Sequence, residues 1–114
     1  MDILTILKYA AVVVTILTGV YSLLQPKKIK DFTGLEASSP RATTEIRAVM
    51  GGTFIGLGIA ALIFPTPEVF KTLAITYAAI AVIRGISMVT DKSIVRSNVI
   101  SLITEVILVV ILYI

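Results

Sequence analysis

Four long apolar runs divide the chain, and shorter polar segments separate them. Each run is close to the ~20 residues that an α-helix needs to cross about 30 Å of hydrocarbon. With the flanking residues that start and end helices, the pattern predicts helices over about 3–24, 41–64, 67–90 and 94–114. We therefore expect an all-α membrane protein, an antiparallel bundle of four transmembrane helices that forms a single domain over residues 1–114.

The polar connections carry residues that end one helix and begin the next. Pro26 follows the first run, and Ser39 with Pro40 is suited to cap and begin the second helix. Thr66 and Pro67 repeat this arrangement before the third helix. The last two connections are short, and short connections make neighbouring helices antiparallel.

The second run, residues 45–64, is rich in glycine. A glycine costs a soluble helix roughly 1 kcal/mol relative to alanine, but in lipid small residues let neighbouring backbones approach closely. Gly52 and Gly56 have the G-x-x-x-G spacing. We expect an inner helix packed on two sides, with these glycines against a small-residue stripe of the third helix and homodimerisation as the alternative use. The residues expected to serve helix packing are Gly51, Gly52, Gly56, Gly58, Ala78, Ala81 and Gly85.

The composition narrows the possible chemistry. Hydrophobic residues make up 57% of the 114 residues, and the mean hydropathy is +1.02. A soluble domain of this size cannot bury so much apolar surface. The chain has no cysteine and no histidine, so disulfides, thiolate nucleophiles, Cys/His zinc sites and Ser/His triads are excluded. We expect no cofactor, no metal site and no catalytic residue.

The formal charge of +3 reflects membrane topology rather than nucleic-acid binding, because the basic residues flank apolar spans instead of alternating with aromatic residues. Lys8 and Lys71 lie on one side of the predicted membrane. The eight other basic residues lie on the opposite side: Lys27, Lys28, Lys30, Arg41, Arg47, Arg84, Lys92 and Arg96. We therefore expect a multi-pass protein of the inner (plasma) membrane with the loop 25–40 in the cytoplasm and both termini outside it.

Glu105 is the most conspicuous ionisable residue, because it lies deep within the last apolar run. Asn98 and Ser101 share its side of the predicted helix, so this side should face inward. One interpretation is a carboxyl group that is paired or protonated inside the bundle and serves packing. The other is a proton- or cation-responsive carboxylate. Lys8 is at a depth from which it would reach Glu105, or it snorkels to the surface.

Arg84 and Glu45 lie at similar predicted depths on the third and second helices, so an ion pair between them is allowed. Arg47 would join this pair or reach the lipid phosphates. Tyr77 lies on the same helix face as Arg84, seven residues earlier. A structural tie between helices is favoured over a catalytic arrangement.

Two segments resemble a known family. The pattern E-x-R-A-x-x-G-G from Glu45, followed by Gly56-x-Gly58, and the sequence R-G-I-S from Arg84 resemble a family of small bacterial four-helix membrane proteins of unknown function, similar to the DoxX-like proteins. The resemblance implies a four-helix integral membrane fold and no known substrate. It also implies that Glu45, Arg47 and Arg84 occupy polar positions that recur in the family.

Two functions remain open at this point. The first is a non-enzymatic membrane protein that packs helices, binds lipid or serves as an accessory subunit. The second is an oligomeric small-molecule or proton-coupled transporter or channel that uses Glu105. The expected partners are membrane lipids, further copies of the chain or another membrane protein, and not nucleic acid.

Overall fold

The computed structural model describes residues 1–114, all of them in helices or their connections. Four helices are long and apolar enough to cross a membrane: Ile3–Leu24, Pro40–Ile63, Pro67–Thr90 and Arg96–Tyr113. The predicted all-α class with four membrane-capable helices is confirmed. In chain order the elements are α1 (Ile3–Leu24), α2 (Lys30–Thr33), α3 (Pro40–Glu45), a π-helical segment (Ile46–Gly51), α4 (Gly52–Ile63), α5 (Pro67–Thr90) and α6 (Arg96–Tyr113).

The chain forms two compact units. The hairpin unit contains Met1–Ala11 and Pro65–Ile114, so it holds the first part of α1 together with α5 and α6. The loop unit contains Val12–Phe64, which covers the rest of α1, the long connection and the second span.

Side chains cap the helices where the sequence predicts it. Ser39 Oγ accepts a hydrogen bond from the N–H of Ala42 at 3.0 Å, and Thr66 Oγ1 accepts one from the N–H of Val69 at 3.3 Å. In both cases a proline occupies the first turn, where its missing N–H costs nothing. At α1, Asp2 Oδ1 accepts from the N–H of Thr5 at 2.8 Å.

The last helix begins at Arg96, two residues later than predicted. After α5 ends, Lys92 adopts a φ of 52°, in the left-handed region, and turns the chain back. The N–H of Ser93 then donates to the carbonyl of Met88 at 3.0 Å, and Val95 is extended before α6. Ile94 and Val95, which the apolar pattern assigns to the last helix, therefore belong to the turn.

The second span is not a uniform α-helix, because the six residues Ile46–Gly51 are π-helical. A π-helical turn widens the backbone spiral and changes the rotation of the residues that follow. Gly51 and Gly58, seven residues apart, nevertheless both face α1.

In the loop unit, the second span packs closely against α1 through glycines. A Cβ on Gly51 would lie 3.2 Å from the carbonyl oxygen of Gly19, and a Cβ on Gly58 would collide with Cγ1 of Ile16. Glycine at both positions lets the two backbones approach each other. The expected roles of Gly51 and Gly58 in packing agree with this geometry.

Gly52 and Gly56 make no close contact within the loop unit, and Gly85 makes none within the hairpin unit, because a Cβ at each would meet nothing within 4 Å. Their use in packing between the second and third helices or in homodimerisation stays a prediction. The G-x-x-x-G spacing does not say which face of a helix meets a neighbour. Gly19 on α1 determines which face of the second span packs. Its small size lets Gly51 approach α1, and the face that carries Gly52 and Gly56 stays exposed. The second span is thus packed on one side rather than two within the loop unit. In α5, Ala81 is buried and Ala78 is partly buried.

Candidate functional site

Arg84 of α5 and Glu105 of α6 form a two-bond ion pair in the hairpin unit. Arg84 Nε donates to Glu105 Oε1 at 2.8 Å, and Nη2 donates to Oε2, also at 2.8 Å. The planar guanidinium matches both carboxylate oxygens, which is the strongest geometry for this kind of pair. The pair joins consecutive helices near the middle of α6.

Asn98 extends the pair to the turn between the helices. Its Oδ1 accepts a hydrogen bond from Arg84 Nη1 at 2.9 Å, while its Nδ2 donates to the carbonyl oxygen of Ser93 at 3.0 Å. Asn98 and Glu105 are seven residues apart on α6, two turns along one face. The cluster of Arg84, Glu105, Asn98 and Ser93, called here the hairpin cluster, therefore links the turn to the interior of both helices.

The hairpin cluster is largely shielded from the surroundings. The Glu105 side chain is 11% exposed and that of Arg84 is 31% exposed. Removing a carboxylate from water costs several kcal/mol unless a partner and hydrogen bonds compensate it. Here both carboxylate oxygens have partners, and no buried side-chain nitrogen or oxygen in the chain lacks one. The arrangement is suited to holding two helices together as a neutral pair.

The expected pairing of Arg84 with Glu45 is wrong. Glu45 Oε1 instead accepts from Arg41 Nη1 at 2.8 Å, one helical turn earlier on an exposed surface. A partner on the same helix is available to Glu45 at little entropic cost, and Glu105 gives Arg84 a more buried carboxylate. The depth of a residue along a span therefore did not identify its partner.

Arg47 does not join Arg84 and Glu45, and its Nε donates instead to the carbonyl oxygen of Leu23 at 3.1 Å. The last four carbonyls of a helix have no partner in their own helix. Arg47 satisfies one of those at the end of α1 and so ties the π-helical segment to α1.

The expected link between Lys8 and Glu105 is also wrong, because Glu105 pairs with Arg84 and Lys8 contacts an aromatic ring instead. Lys8 Nζ lies 5.5 Å from the centre of the Phe70 ring, and Tyr9 meets the same ring edge-to-face at 6.1 Å. This is a cation–π contact beside an aromatic pair. Lys8 is thus held by Phe70 in the hairpin unit.

Two features of the hairpin unit were not singled out in the sequence. Lys71 Nζ lies 5.2 Å from the centre of the Tyr113 ring, a second cation–π contact. Ser93 supplies two acceptors to Asn98, its carbonyl and its hydroxyl oxygen. The only indication of the role of Ser93 in the sequence was its position, a polar residue in the turn five positions before Asn98.

Tyr77, a predicted candidate, is buried, with 5% of its surface exposed.

Comparison with known proteins gives a family but no characterised relative. The model of a domain of unknown function, DUF4345, matches residues 3–114. No curated protein and no solved structure matches the chain. The match covers all four membrane-capable helices and the hairpin cluster. The chain therefore belongs to the DUF4345 family of domains of unknown function.

Proposed function

We propose that this chain is a non-enzymatic integral membrane protein that acts through its contacts with lipids and with other membrane helices, including further copies of itself. The observation that carries the proposal is the complete pairing of Glu105 with Arg84. The most buried carboxylate of the spans is engaged in holding α5 to α6. It is therefore not poised toward a substrate.

The other ionisable candidates support the same conclusion. Enzymatic attack on a lipid requires a nucleophile and a base within hydrogen-bond reach of one position. Glu45 is paired with Arg41, and Lys8 lies over Phe70. These residues contribute to packing and surface pairing, which fits a non-enzymatic role.

The alternative is an oligomeric transporter or channel in which Glu105 exchanges its partner for a proton or a cation. The burial of a carboxylate within a membrane-capable helix is the observation that favours it. Such a protein would have to break two charge-assisted hydrogen bonds in each cycle.

We also propose a placement in the membrane. The chain lies in the inner (plasma) membrane of a bacterium, with residues 25–40 in the cytoplasm and both termini outside it. The strong excess of basic residues on the side of that loop supports this orientation. The resemblance of the segments around Glu45 and Arg84 to small bacterial membrane proteins supports the bacterial membrane and a relationship to DoxX-like proteins.

Proton flux in reconstituted vesicles tests the main proposal against the transporter. Vesicles that contain the wild-type protein should leak protons across a pH gradient no faster than protein-free vesicles. Glu105→Gln should behave the same way, with Glu36→Gln as the matched control because Glu36 is an exposed paired carboxylate. A proton or solute flux that is present in the wild type and in Glu36→Gln but absent in Glu105→Gln would overturn the proposal.

A further inference from the structure

The loop unit contains a long apolar groove that plays no part in the hairpin cluster. It has a volume of about 580 Å³ and lies between the second half of α1, the short helix α2 and Met50 of the π-helical segment. This volume is within the ~300–1,000 Å³ typical of clefts that hold small ligands. Along α1 the groove runs from Val14 to Gln25, about 16 Å at 1.5 Å per residue.

The walls of the groove are apolar along most of its length. Thr18 and Ser22 line it, but their hydroxyl groups donate to carbonyls of their own helix, at 2.9 Å and 3.0 Å. Thr33 Oγ1 likewise donates to the carbonyl of Ile29 at 2.9 Å. The hydroxyl groups of Thr18, Ser22 and Thr33 are therefore satisfied within the chain, and the rest of the lining is mostly hydrocarbon, which suits an apolar chain.

The helix α2 forms the end wall of the groove. Ile29 is only 2% exposed and anchors this segment, while Phe32 is 62% exposed and remains at the rim. Gly34, with a φ of 75°, ends α2 and donates to the carbonyl of Lys30. The end wall is thus a fixed element with an apolar side toward the groove.

Unpaired positive charge lies at this same end. Lys27 and Lys28 lie between Pro26 and Ile29, are exposed, and form no ion pair within the chain. Lys30, in contrast, is paired with Glu36 at 3.3 Å. The groove is therefore apolar along α1 and bordered by cations at the α2 end. An anionic phospholipid has the same order of groups, with an acyl chain followed by a negatively charged phosphate.

We propose that this groove binds one acyl chain of an anionic phospholipid, with the phosphate of that lipid held by Lys27 and Lys28. This proposal rests on the proposed function and names the ligand class of its lipid contacts. A zwitterionic phospholipid would gain the same apolar contact, but the cation of its own headgroup offsets its phosphate, so the two lysines would attract it less. The loop of a second copy carries three lysines against Asp31 and Glu36, and Glu36 is already paired with Lys30, so it offers Lys27 and Lys28 a net positive surface.

Tryptophan fluorescence offers a direct test, because the chain contains no tryptophan. Phe32→Trp places a single reporter at the groove rim, and Ile86→Trp places one on an exposed position of α5, which does not line the groove. Each variant is reconstituted with phospholipids whose acyl chains carry bromine, a contact quencher. Brominated phosphatidylglycerol is compared with brominated phosphatidylcholine at equal mole fractions.

We expect the Phe32→Trp fluorescence to be quenched several-fold more effectively by the anionic lipid than by the neutral one, and less so at high salt. The Ile86→Trp fluorescence should be quenched equally by both. Adding Lys27→Gln and Lys28→Gln to Phe32→Trp should remove the difference. The matched control, Lys92→Gln with Arg96→Gln, removes the same charge from exposed positions outside the groove and should preserve it.

Three results would overturn the proposal. Equal quenching of Phe32→Trp by the two lipids would mean that this position makes only the contacts that any membrane-facing residue makes with surrounding lipid. Loss of the preference in the Lys92 and Arg96 control would mean that the net charge of the chain, and not Lys27 and Lys28, attracts the anionic lipid. Protection of Phe32→Trp from both lipids, together with self-association, would assign the groove to a second copy. If Ile86→Trp is also unquenched by every lipid, the chain is not embedded and the proposed function fails as well.

Discussion

Gly19 and Gly51 bring α1 and the second span so close that a Cβ on Gly19 would lie 2.7 Å from the carbonyl oxygen of Gly51. No real side chain tolerates that distance to a backbone atom without movement of a helix. The close approach depends on glycine at position 19 of a helix that otherwise consists largely of β-branched and aliphatic residues.

Gly19→Ala should destabilise the protein, whereas Gly56→Ala should not. The added methyl group at position 19 meets the Gly51 backbone and Ile55, and overpacking of this kind typically costs about 1–3 kcal/mol. At Gly56 the methyl group meets nothing, and the helix gains up to about 1 kcal/mol of intrinsic propensity. Thermal unfolding in one detergent measures both. Equal destabilisation by the two substitutions would contradict the close approach of Gly19 to Gly51.

Breaking the pair of Arg84 and Glu105 should cost more than removing it altogether. Loss of one partner of a fully buried pair costs about 3–5 kcal/mol, and we expect less here because the Arg84 side chain is 31% exposed. The double substitution Arg84→Met with Glu105→Leu leaves no unpaired charge and should be more stable than either single variant. A double-mutant cycle from unfolding measurements gives the coupling.

In a separate unfolding measurement, Glu105→Gln is compared with a control, Glu36→Gln. It also removes a carboxylate from an ion pair, but both side chains of that pair are more than half exposed. Exposed pairs contribute about 0–1 kcal/mol. A Glu36→Gln effect as large as that of Glu105→Gln would show that burial does not set the strength of the hairpin cluster.

Asn98→Leu should loosen the turn between α5 and α6 without opening the pair itself. The substitution removes the acceptor for Arg84 Nη1 and the two hydrogen bonds to Ser93, each worth about 1 kcal/mol net. Hydrogen–deuterium exchange should therefore accelerate in residues 91–98 and change little around Glu105. Ser97→Ala, at the neighbouring position outside the hairpin cluster, serves as the control. Uniform acceleration through both helices would mean that the cluster does not act locally.

Protonation of Asp2 should release the first turn of α1. Hydrogen bonds from the Thr5 side chain and the Thr5 backbone N–H hold the pKa of Asp2 below its ordinary value of 3.8. Because the folded-state pKa is lowered, the stabilisation is fully present above 3.8 and is lost as the pH falls through the folded-state pKa. The Thr5 amide chemical shift in NMR should follow this titration. In Thr5→Ala the midpoint should move toward 3.8, and an unchanged midpoint would contradict the assignment.

The sequence predicts the parts of this fold that depend on local chemistry. Hydropathy along the chain locates the four spans, and Ser39 with Pro40 and Thr66 with Pro67 locate two helix starts. The side of α6 that carries Asn98 and Glu105 was also recognisable, since residues seven apart share a face. These features need no knowledge of neighbouring helices.

The partners of the charges and glycines depend on how the helices meet, and this is where the sequence reasoning failed. The predicted depths paired Arg84 with Glu45, and only the hairpin geometry shows Glu105 as its partner. Rotation at 100° per residue separates the face of Gly51 and Gly58 from that of Gly52 and Gly56, but it does not say which of the two faces meets a neighbouring helix. The groove was not predicted because it requires the orientation of α2, which a four-residue helix does not reveal in its pattern.

The location of both charges in one hairpin bears on how the protein enters a membrane during synthesis. Arg84 and Glu105 are 21 residues apart and belong to consecutive helices joined by a short turn. They can neutralise each other as soon as α6 leaves the ribosome, whatever the position of the earlier helices. A translocation apparatus would then transfer an electrically balanced helical pair into lipid, and not an arginine followed later by its counterion.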